Sequence, residues 1–387
     1  MSGYSFRTDE RRERGAILYL VAASLVVLVG FLGLAIDLGH MYNNKGQLQN
    51  MADACALSGG TALNGTSEGI QLAVNRARDL NSSLNNKTEF NTQNITLAEA
   101  DITFSDQLNG TYVDKTAAQG NAAAMRFVRV VIPPQQTDIF FAKLVPGIPS
   151  SLNFGAEAVA GQSPQTLASG RPAPVCSGLD PFSPPALNPS DPNYGYVEGA
   201  FYSIRTAPGS SPQTCVNYGH TNSTTGNWNF ADPNGCGNGQ PCLLDSIMNG
   251  SYNNCVETGW DLPAVTGDRG INITRTLQER FDQDTYTADG LEYAQYKESS
   301  NLNYRRIIRV AFNDGNIPNG SGNFNVIGYG CFYMLSRPVM DPGGASGPAA
   351  AICMQFVGSC DENGVPTPIA PGSTSSSSSI TKLVLFR

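Results

Sequence analysis

The hydrophobic pattern changes character three times along the chain. Residues 15–36 read GAILYLVAASLVVLVGFLGLAI, with no charge between Arg14 and Asp37. As a helix, residues 16–36 extend about 31 Å at 1.5 Å per residue, which matches the roughly 30 Å hydrocarbon core of a bilayer. The stretch exceeds the about 7–15 apolar residues usual in a secretory signal. A retained transmembrane helix is therefore predicted at 16–36, with removal after the small-x-small pattern Gly33-Leu34-Ala35 as the alternative. The helical period then continues, because Leu38, Met41, Tyr42, Leu48, Met51, Ala52 and Cys55 recur at three- and four-residue steps. Small residues follow, and Gly59-Gly60 offers a stop. The prediction is one long helix, half in lipid and half outside.

Between residues 60 and 162 the period shortens. Ile70, Leu72, Val74, Ala77 and Leu80 predict a second, shorter helix, followed by the Asn-rich loop SSLNNKTEFNTQN. Branched and partly alternating runs predict strands at 95–104, 125–132 and 152–160. Pro133-Pro134 is expected to end the middle strand, and TDIFFAKLV to form a short helix capped by Thr137. Phe140 and Phe141 are expected in the core. One face of the strands needs a cover, and the second half of the long helix is the available one.

After Gln162 the chain becomes rich in Pro, Ser and Gly. Strands are expected at 196–204, 304–312, 324–335, 350–357 and 382–386, with 274–281 the only helix. The alternation in RRIIRVAF and NVIGYGCFYML suggests half-buried sheets, so the region is read as mainly β. Ser375–Ser379 is read as part of a flexible tether at 373–379 before the last strand.

Composition sharpens this picture. Charged residues make up 14% of the 387 positions, against about 25% in typical soluble domains. The net charge is −8, so no nucleic-acid partner is expected. Arg7, Arg11, Arg12 and Arg14 precede the span, while Lys45 is the only Lys or Arg between residues 37 and 75. That asymmetry puts the N-terminus in the cytoplasm and the bulk outside. Asp37, at the exit of the span, is read as a carboxylate snorkelling into the outer interface.

Eight of the nine cysteines fall at 176, 215, 236, 242, 255, 331, 353 and 360. An even set on the oxidising side reads as disulfides, whose pairing the sequence leaves open among 105 possibilities. Cys55 is the odd one, buried in the helix or free. A zinc site drawn from Cys215, Cys236, Cys242, Cys255 and His220 is the lesser alternative, since the close Cys-x2-Cys pairs of common zinc sites are missing. Asp282, Asp284 and Asp289, or Asp232 in DPNG, offer oxygens for calcium without the EF-hand spacing, so solvated turns are preferred. The chain has two histidines, His40 and His220, and no nucleophile elbow, zincin or P-loop motif. No catalytic, cofactor-binding or metal-ligating residue is assigned, and an enzyme is not expected.

The ordered run Arg14-Gly15, Ile36-Asp37-Leu38-Gly39, Leu48-Gln49, Ala52-Asp53-Ala54 and Ala56-Leu57 resembles the N-terminal module of TadE/TadG-like tight-adherence (Flp) pilus-assembly proteins. RFVRVVIPPQQTDIFFAKLVPGIPSSLNFGAEAVAG resembles the remainder of that module, and RIIRV with GYGCFYML resembles the distal domain of some members more weakly. Two positions depart from the pattern. Cys55 stands where the family usually has Ala, and Leu20, five residues after Gly15, replaces the Glu that a pilin-processing peptidase reads. The resemblance therefore implies an N-terminus that stays attached, in a protein other than the main polymerising pilin. The von Willebrand A-type domain of some relatives is not expected, because its nearest string, residues 101–105, alternates as a strand.

The resulting fold expectation is α+β. A cytoplasmic basic segment at 1–15 and a span at 16–36 lead into a pilin-like helix-plus-antiparallel-sheet unit at 37–162. A mainly β, disulfide-bearing exoplasmic domain occupies 163–387. The resemblance implies a structural component of a tight-adherence pilus or related secretion system in a bacterial inner membrane. Its partners would be the membrane and pilus-assembly or pilin proteins met through the N-terminal helix, in a homo- or hetero-oligomer. The alternative is an anchored adhesion module that recognises glycans or another cell through Tyr side chains, Trp228, Trp260 and the Asn-rich loops.

Overall fold

The computed structural model describes residues 10–85, 95–164, 174–206, 213–221, 223–237, 239–252, 254–265, 270–299, 301–316, 322–341, 348–361, 364–365 and 380–386. Arg7, the side chains of Arg11, Arg12 and Arg14, and the serine tether lie outside them.

The predicted long helix is present as α1, Glu10–Gly60, unbroken over 51 residues. One turn later α2, Ser67–Asn85, folds back on it. Thr66 starts α2 by accepting a hydrogen bond from the Gly69 amide at 2.9 Å. The strands that follow are β1 (Ile102–Ser105), β2 (Phe127–Asp138) and β3 (Ser151–Pro164), with the short helix α3 (Lys115–Gly120) between the first two. The pairs β1–β2 and β2–β3 are antiparallel.

Three local expectations change here. The first strand covers only the end of 95–104, because residues 99–101 close a 3-10 turn in which the Asp101 carboxylate accepts from the Ala98 amide. Pro133-Pro134 does not end β2. The register with β3 shifts between Ile132 and Gln135, so a bulge takes up the two residues that have no N–H and pairing resumes to Asp138. The helix expected over TDIFFAKLV reduces to a 3-10 turn at Ala142–Leu144, with Thr137 still inside β2.

The core of this unit lies between α1, α2 and one sheet face. Leu48, Met51, Ala52, Cys55 and Ala56 of α1 meet Ile70, Ala73, Val74 and Ala77 of α2, and Val128, Val130, Ile132, Ala158 and Ala160 of the sheet. The small residues allow the close approach. A Cβ on Gly59 would stand 3.2 Å from the Ala73 carbonyl oxygen, and one on Gly60 2.7 Å from Leu383 Cδ1.

The remaining strands are β4 (Phe182–Ser183), β5 (Phe201–Arg205), β6 (Thr224–Asn227), β7 (Asn229–Phe230), β8 (Asp261–Pro263), β9 (Ile307–Asn313), β10 (Asn323–Met334), β11 (Val339–Asp341), β12 (Ala349–Gly358), β13 (Cys360–Asp361) and β14 (Ile380–Phe386). The helices are α4 (Gln240–Asn249), α5 (Gly270–Asp282) and α6 (Tyr293–Tyr296). A seven-stranded sheet runs β6-β5-β12-β10-β8, with β11 on β12 and β9 on β10, and β4 pairs with β7. Residues 274–281 are therefore not the only helical segment. The helix α4 hides in a Cys- and Gly-rich stretch, although Leu243 and Ile247, four apart, are buried by it.

The central strands are buried on both faces rather than half-buried. Along β12, Ala350, Ile352, Met354 and Phe356 enter one cluster, while Cys353 and Val357 enter another. The polar-looking positions of the alternation are cysteine, tyrosine and glutamine facing a second core.

The eight distal cysteines pair as Cys176–Cys255, Cys215–Cys353, Cys236–Cys242 and Cys331–Cys360, and Cys55 is free and buried. The last strand is not part of the distal sheet. β14 pairs antiparallel with β3 from Thr381↔Pro164 to Phe386↔Val159, and β13 pairs parallel with β14. The first sheet is therefore β1-β2-β3-β14-β13. The Cys331–Cys360 bridge joins it to β10 of the distal sheet, and the Asn64 amide donates to the Tyr304 hydroxyl across the same seam.

Candidate functional site

Along residues 17–36 of α1 nearly every side chain is exposed, and Leu20, Val26, Leu28 and Phe31 point out on all sides. It is the one helix among the described residues long and apolar enough to cross a membrane. Twelve residues further on, Leu48 is fully buried. The change from an exposed to a packed helix is made at Asp37.

Asp37 is 2% exposed and does not reach for water. Its Oδ1 accepts from the Phe140 amide at 2.9 Å, and its Oδ2 from Phe141 at 2.9 Å and from Ala142 at 2.6 Å. One carboxylate thus gathers three successive amides of the turn after β2, in place of the expected snorkelling. Burial pushes the carboxyl upward, but the three amides together with His40 outweigh it and hold it below the usual carboxylate range. The next turn of α1 adds weaker contacts. The His40 ring lies 5.1 Å from that of Phe140, and Asn44 Nδ2 stands 3.3 Å from His40 Nε2 and 3.4 Å from Thr137 Oγ1. One turn before Asp37, a Cβ on Gly33 would lie 2.8 Å from Phe141 Cβ. Phe140 and Phe141 are accordingly not core residues; both are exposed beside α1.

Further along, Gln49 Nε2 donates to Asp53 Oδ1 at 2.8 Å and to the Glu157 carbonyl of β3 at 2.9 Å. The ordered positions between Asp37 and Gly60 therefore have intramolecular work. Asp37 holds a turn, Gln49 holds β3, and Leu48, Ala52 and Ala56 form the floor of the core. The sequence pointed to this half of the helix as the cover of the strands, but not to the individual partners of Asp37 and Gln49, which lie 103–108 residues downstream.

The other candidates are not brought together. His220 stacks on Phe201 with ring centroids 3.4 Å apart and stands 3.8 Å from Glu292 Oε1. Neighbouring Cys215 is bonded to Cys353, and the cysteines of the zinc alternative fall into three different bridges. Asp282 is paired with Arg337 at 2.7 Å, Asp284 accepts from the Tyr296 hydroxyl at 2.9 Å, and Asp232 accepts from the Cys236 and Gly237 amides. No group of three or more metal-ligating side chains occurs among the described residues. Trp228 packs in the core against Phe182 and Phe332, so of the two tryptophans of the adhesion alternative only Trp260, 53% exposed, is at the surface, as is Tyr252.

A buried polar cluster in the distal region escaped the sequence entirely. Asp180 receives the Arg280 guanidinium, the Arg309 amide at 2.7 Å and Arg309 Nε at 3.4 Å. Arg306 lies over the Phe281 and Tyr333 rings and donates to the Met334 and Leu335 carbonyls at 2.8 and 2.7 Å. The only signal was arginine recurring in a strand of otherwise apolar residues.

Residues 15–62 match the Tad family, described as Flp pilus-assembly TadE/G-like. The match begins with the apolar stretch of α1 and ends just past its last glycine, covering the module in which the resemblance is densest. No curated protein and no solved structure matches the chain.

Proposed function

We propose that this protein is a membrane-anchored structural component of a tight-adherence (Flp) pilus or a related secretion system. The family match of residues 15–62 gives the general setting of Flp pilus assembly. The observation that carries the finer reading is the continuity of α1. The same unbroken helix exposes an apolar surface over 17–36 and supplies the floor of a folded core over 48–56. A helix of that kind transmits position, since whatever packs against its first half is joined through one unbroken helix to the sheet it covers.

In this reading the N-terminal arginines remain on the cytoplasmic side of a bacterial inner membrane, and the domains after Asp37 lie in the periplasm or on the cell surface. The four bridges suit that oxidising side. The exposed face of 17–36 packs with helices of pilin or assembly proteins.

The test is complementation of cells that lack the chain. The full-length protein is expected to restore assembled pili and, with a photo-crosslinking residue at Leu28, to yield adducts with other pilus-assembly proteins. A chain lacking 17–36 is expected to do neither and to leave the membrane fraction. Normal piliation without the protein would overturn the proposal.

A further inference from the structure

The turn that Asp37 holds has an unusual surface. Residues 139–149 read IFFAKLVPGIP, and Phe140, Phe141, Leu144, Val145 and Ile148 are all exposed, Leu144 at 77%. The turn lies along α1 rather than pointing away from it. Together with Phe31, Gly33 and Leu34 it lines an apolar groove of roughly 470 Å³ that extends to Val27. Gly33 is about 6 Å before Asp37 along the helix axis and Val27 about 15 Å, at 1.5 Å per residue. If 16–36 crosses a bilayer, this turn lies at the outer edge of the adjoining leaflet, where headgroups meet acyl chains.

The backbone supplies a second, independent observation. Lipid-exposed irregular chain does not occur deep in the hydrocarbon, so a turn of this kind sits at the boundary of headgroups and acyl chains, where apolar side chains can enter while backbone groups keep their partners. Here Phe140, Phe141 and Ala142 donate to Asp37. Ile139 donates to Ser150, Leu144 to Phe141, Val145 to Ala142 and Ile148 to Val145. Pro146 and Pro149 have no N–H to satisfy. The Lys143 and Gly147 amides lie outside this pattern. The one charged side chain of the segment, Lys143, has a stem long enough to bring its ammonium to the headgroups.

We infer that residues 139–149 form a second membrane contact, an apolar wedge whose side chains enter the boundary between headgroups and acyl chains of the leaflet from which α1 exits. The inference rests on the proposed anchoring of α1. Two attachments, a span and a wedge tied to it by Asp37, fix the rotation of the helix and the tilt of the sheet above the membrane, both of which a single span would leave free.

The test uses the full-length chain in vesicles of equimolar phosphatidylethanolamine and phosphatidylglycerol, with and without bromine on the acyl chains. Three single variants report position: Leu144→Trp in the wedge, Leu28→Trp in the span and Val339→Trp on the distal surface. Emission of the unsubstituted chain, from Trp228 and Trp260, is subtracted. The expected result is a blue-shifted Leu144→Trp emission that brominated lipid quenches for the larger part, as it does for Leu28→Trp, while Val339→Trp is unaffected. Quenching of Leu28→Trp without Leu144→Trp overturns the wedge alone. In that case access of an aqueous quencher places the turn in water, and protection from both quenchers means that another copy of the chain covers it. If Leu28→Trp also escapes the brominated lipid, the anchoring itself fails.

Discussion

No disulfide lies wholly within the unit built on α1 among its described residues, whereas three lie within the distal region and a fourth, Cys331–Cys360, ties the two together. The first is closed by alanines and glycines that let two helices lie tightly on a sheet, with one carboxylate setting the joint. The second is filled by tyrosines, phenylalanines and buried arginines, and its long connections are stapled. The difference follows from what each has to work with. A continuous helix arrives with its backbone satisfied and only needs a smooth face, so small side chains suffice. A sheet reached through long polar loops must offset more chain entropy, and covalent bridges lower the entropy of its unfolded state. The two parts meet at one seam, where β13, β14 and the Cys331–Cys360 bridge bring the chain end back to the first sheet.

The comparison is most severely strained by removing Asp180. Asp180→Ala removes the carboxylate that buried Arg280 and Arg309 share, and loss of one member of such a cluster costs about 3–5 kcal/mol. Denaturant unfolding is expected to show that loss in the distal region, with hydrogen exchange along α2 and β2 unchanged. A loss spread evenly over both units would mean that they fold as one cooperative body. Next in size is the Cys215–Cys353 bridge, which ties residues 138 apart. The paired replacement Cys215→Ala with Cys353→Ala is expected to cost about 2–5 kcal/mol and to open β12 to proteolysis. Reductant is expected to reproduce the distal effect while leaving the α1–β2 packing intact.

A smaller effect is expected at the joint. Asp37→Asn keeps the shape but loses the charge that three amides solvate, so exchange at Phe140, Phe141 and Ala142 is expected to speed up while the distal amides stay as they were. The pH dependence has a definite sign. The carboxyl is held below its ordinary value, so its contribution is complete above the unfolded value of about 3.9 and is lost as pH falls through the lower folded value. Asp37→Asn is expected to abolish that acid sensitivity in the turn. The smallest effect is at Cys55, whose thiol is pushed up to about 12 by burial. Alkylating reagent at pH 8 is expected to leave it unmodified in the folded chain and to label it after denaturation. Rapid labelling of the native protein would show that the α1 core is looser than its packing indicates.

Much of this architecture was legible in the sequence, for identifiable reasons. The long helix, α2, and the strands β9, β10 and β12 follow from local periodicity, and an even cysteine set after residue 175 announced bridges. What was not legible depends on distant partners. Nothing in residues 380–386 says that they pair with β3 rather than with the nearer distal strands, since alternation specifies a face and not a neighbour. The Pro133-Pro134 bulge is visible only once β3 supplies a register. Asp37 looked like an interfacial charge because its three donors lie 103–105 residues ahead. Phe140 and Phe141 looked like core because apolar pairs usually are, whereas here they face outward beside the apolar half of α1.

The central claim is that α1 crosses the membrane once, between residues 17 and 36, and presents everything after Asp37 on a single side. Protease added to the periplasmic face of intact spheroplasts, followed by mass spectrometry of what the membrane retains, tests it most directly. The expected result is loss of the sheet units and retention of a short fragment ending near Asp37. A chain that stays whole until the membrane is opened, or that washes off with carbonate, would contradict it.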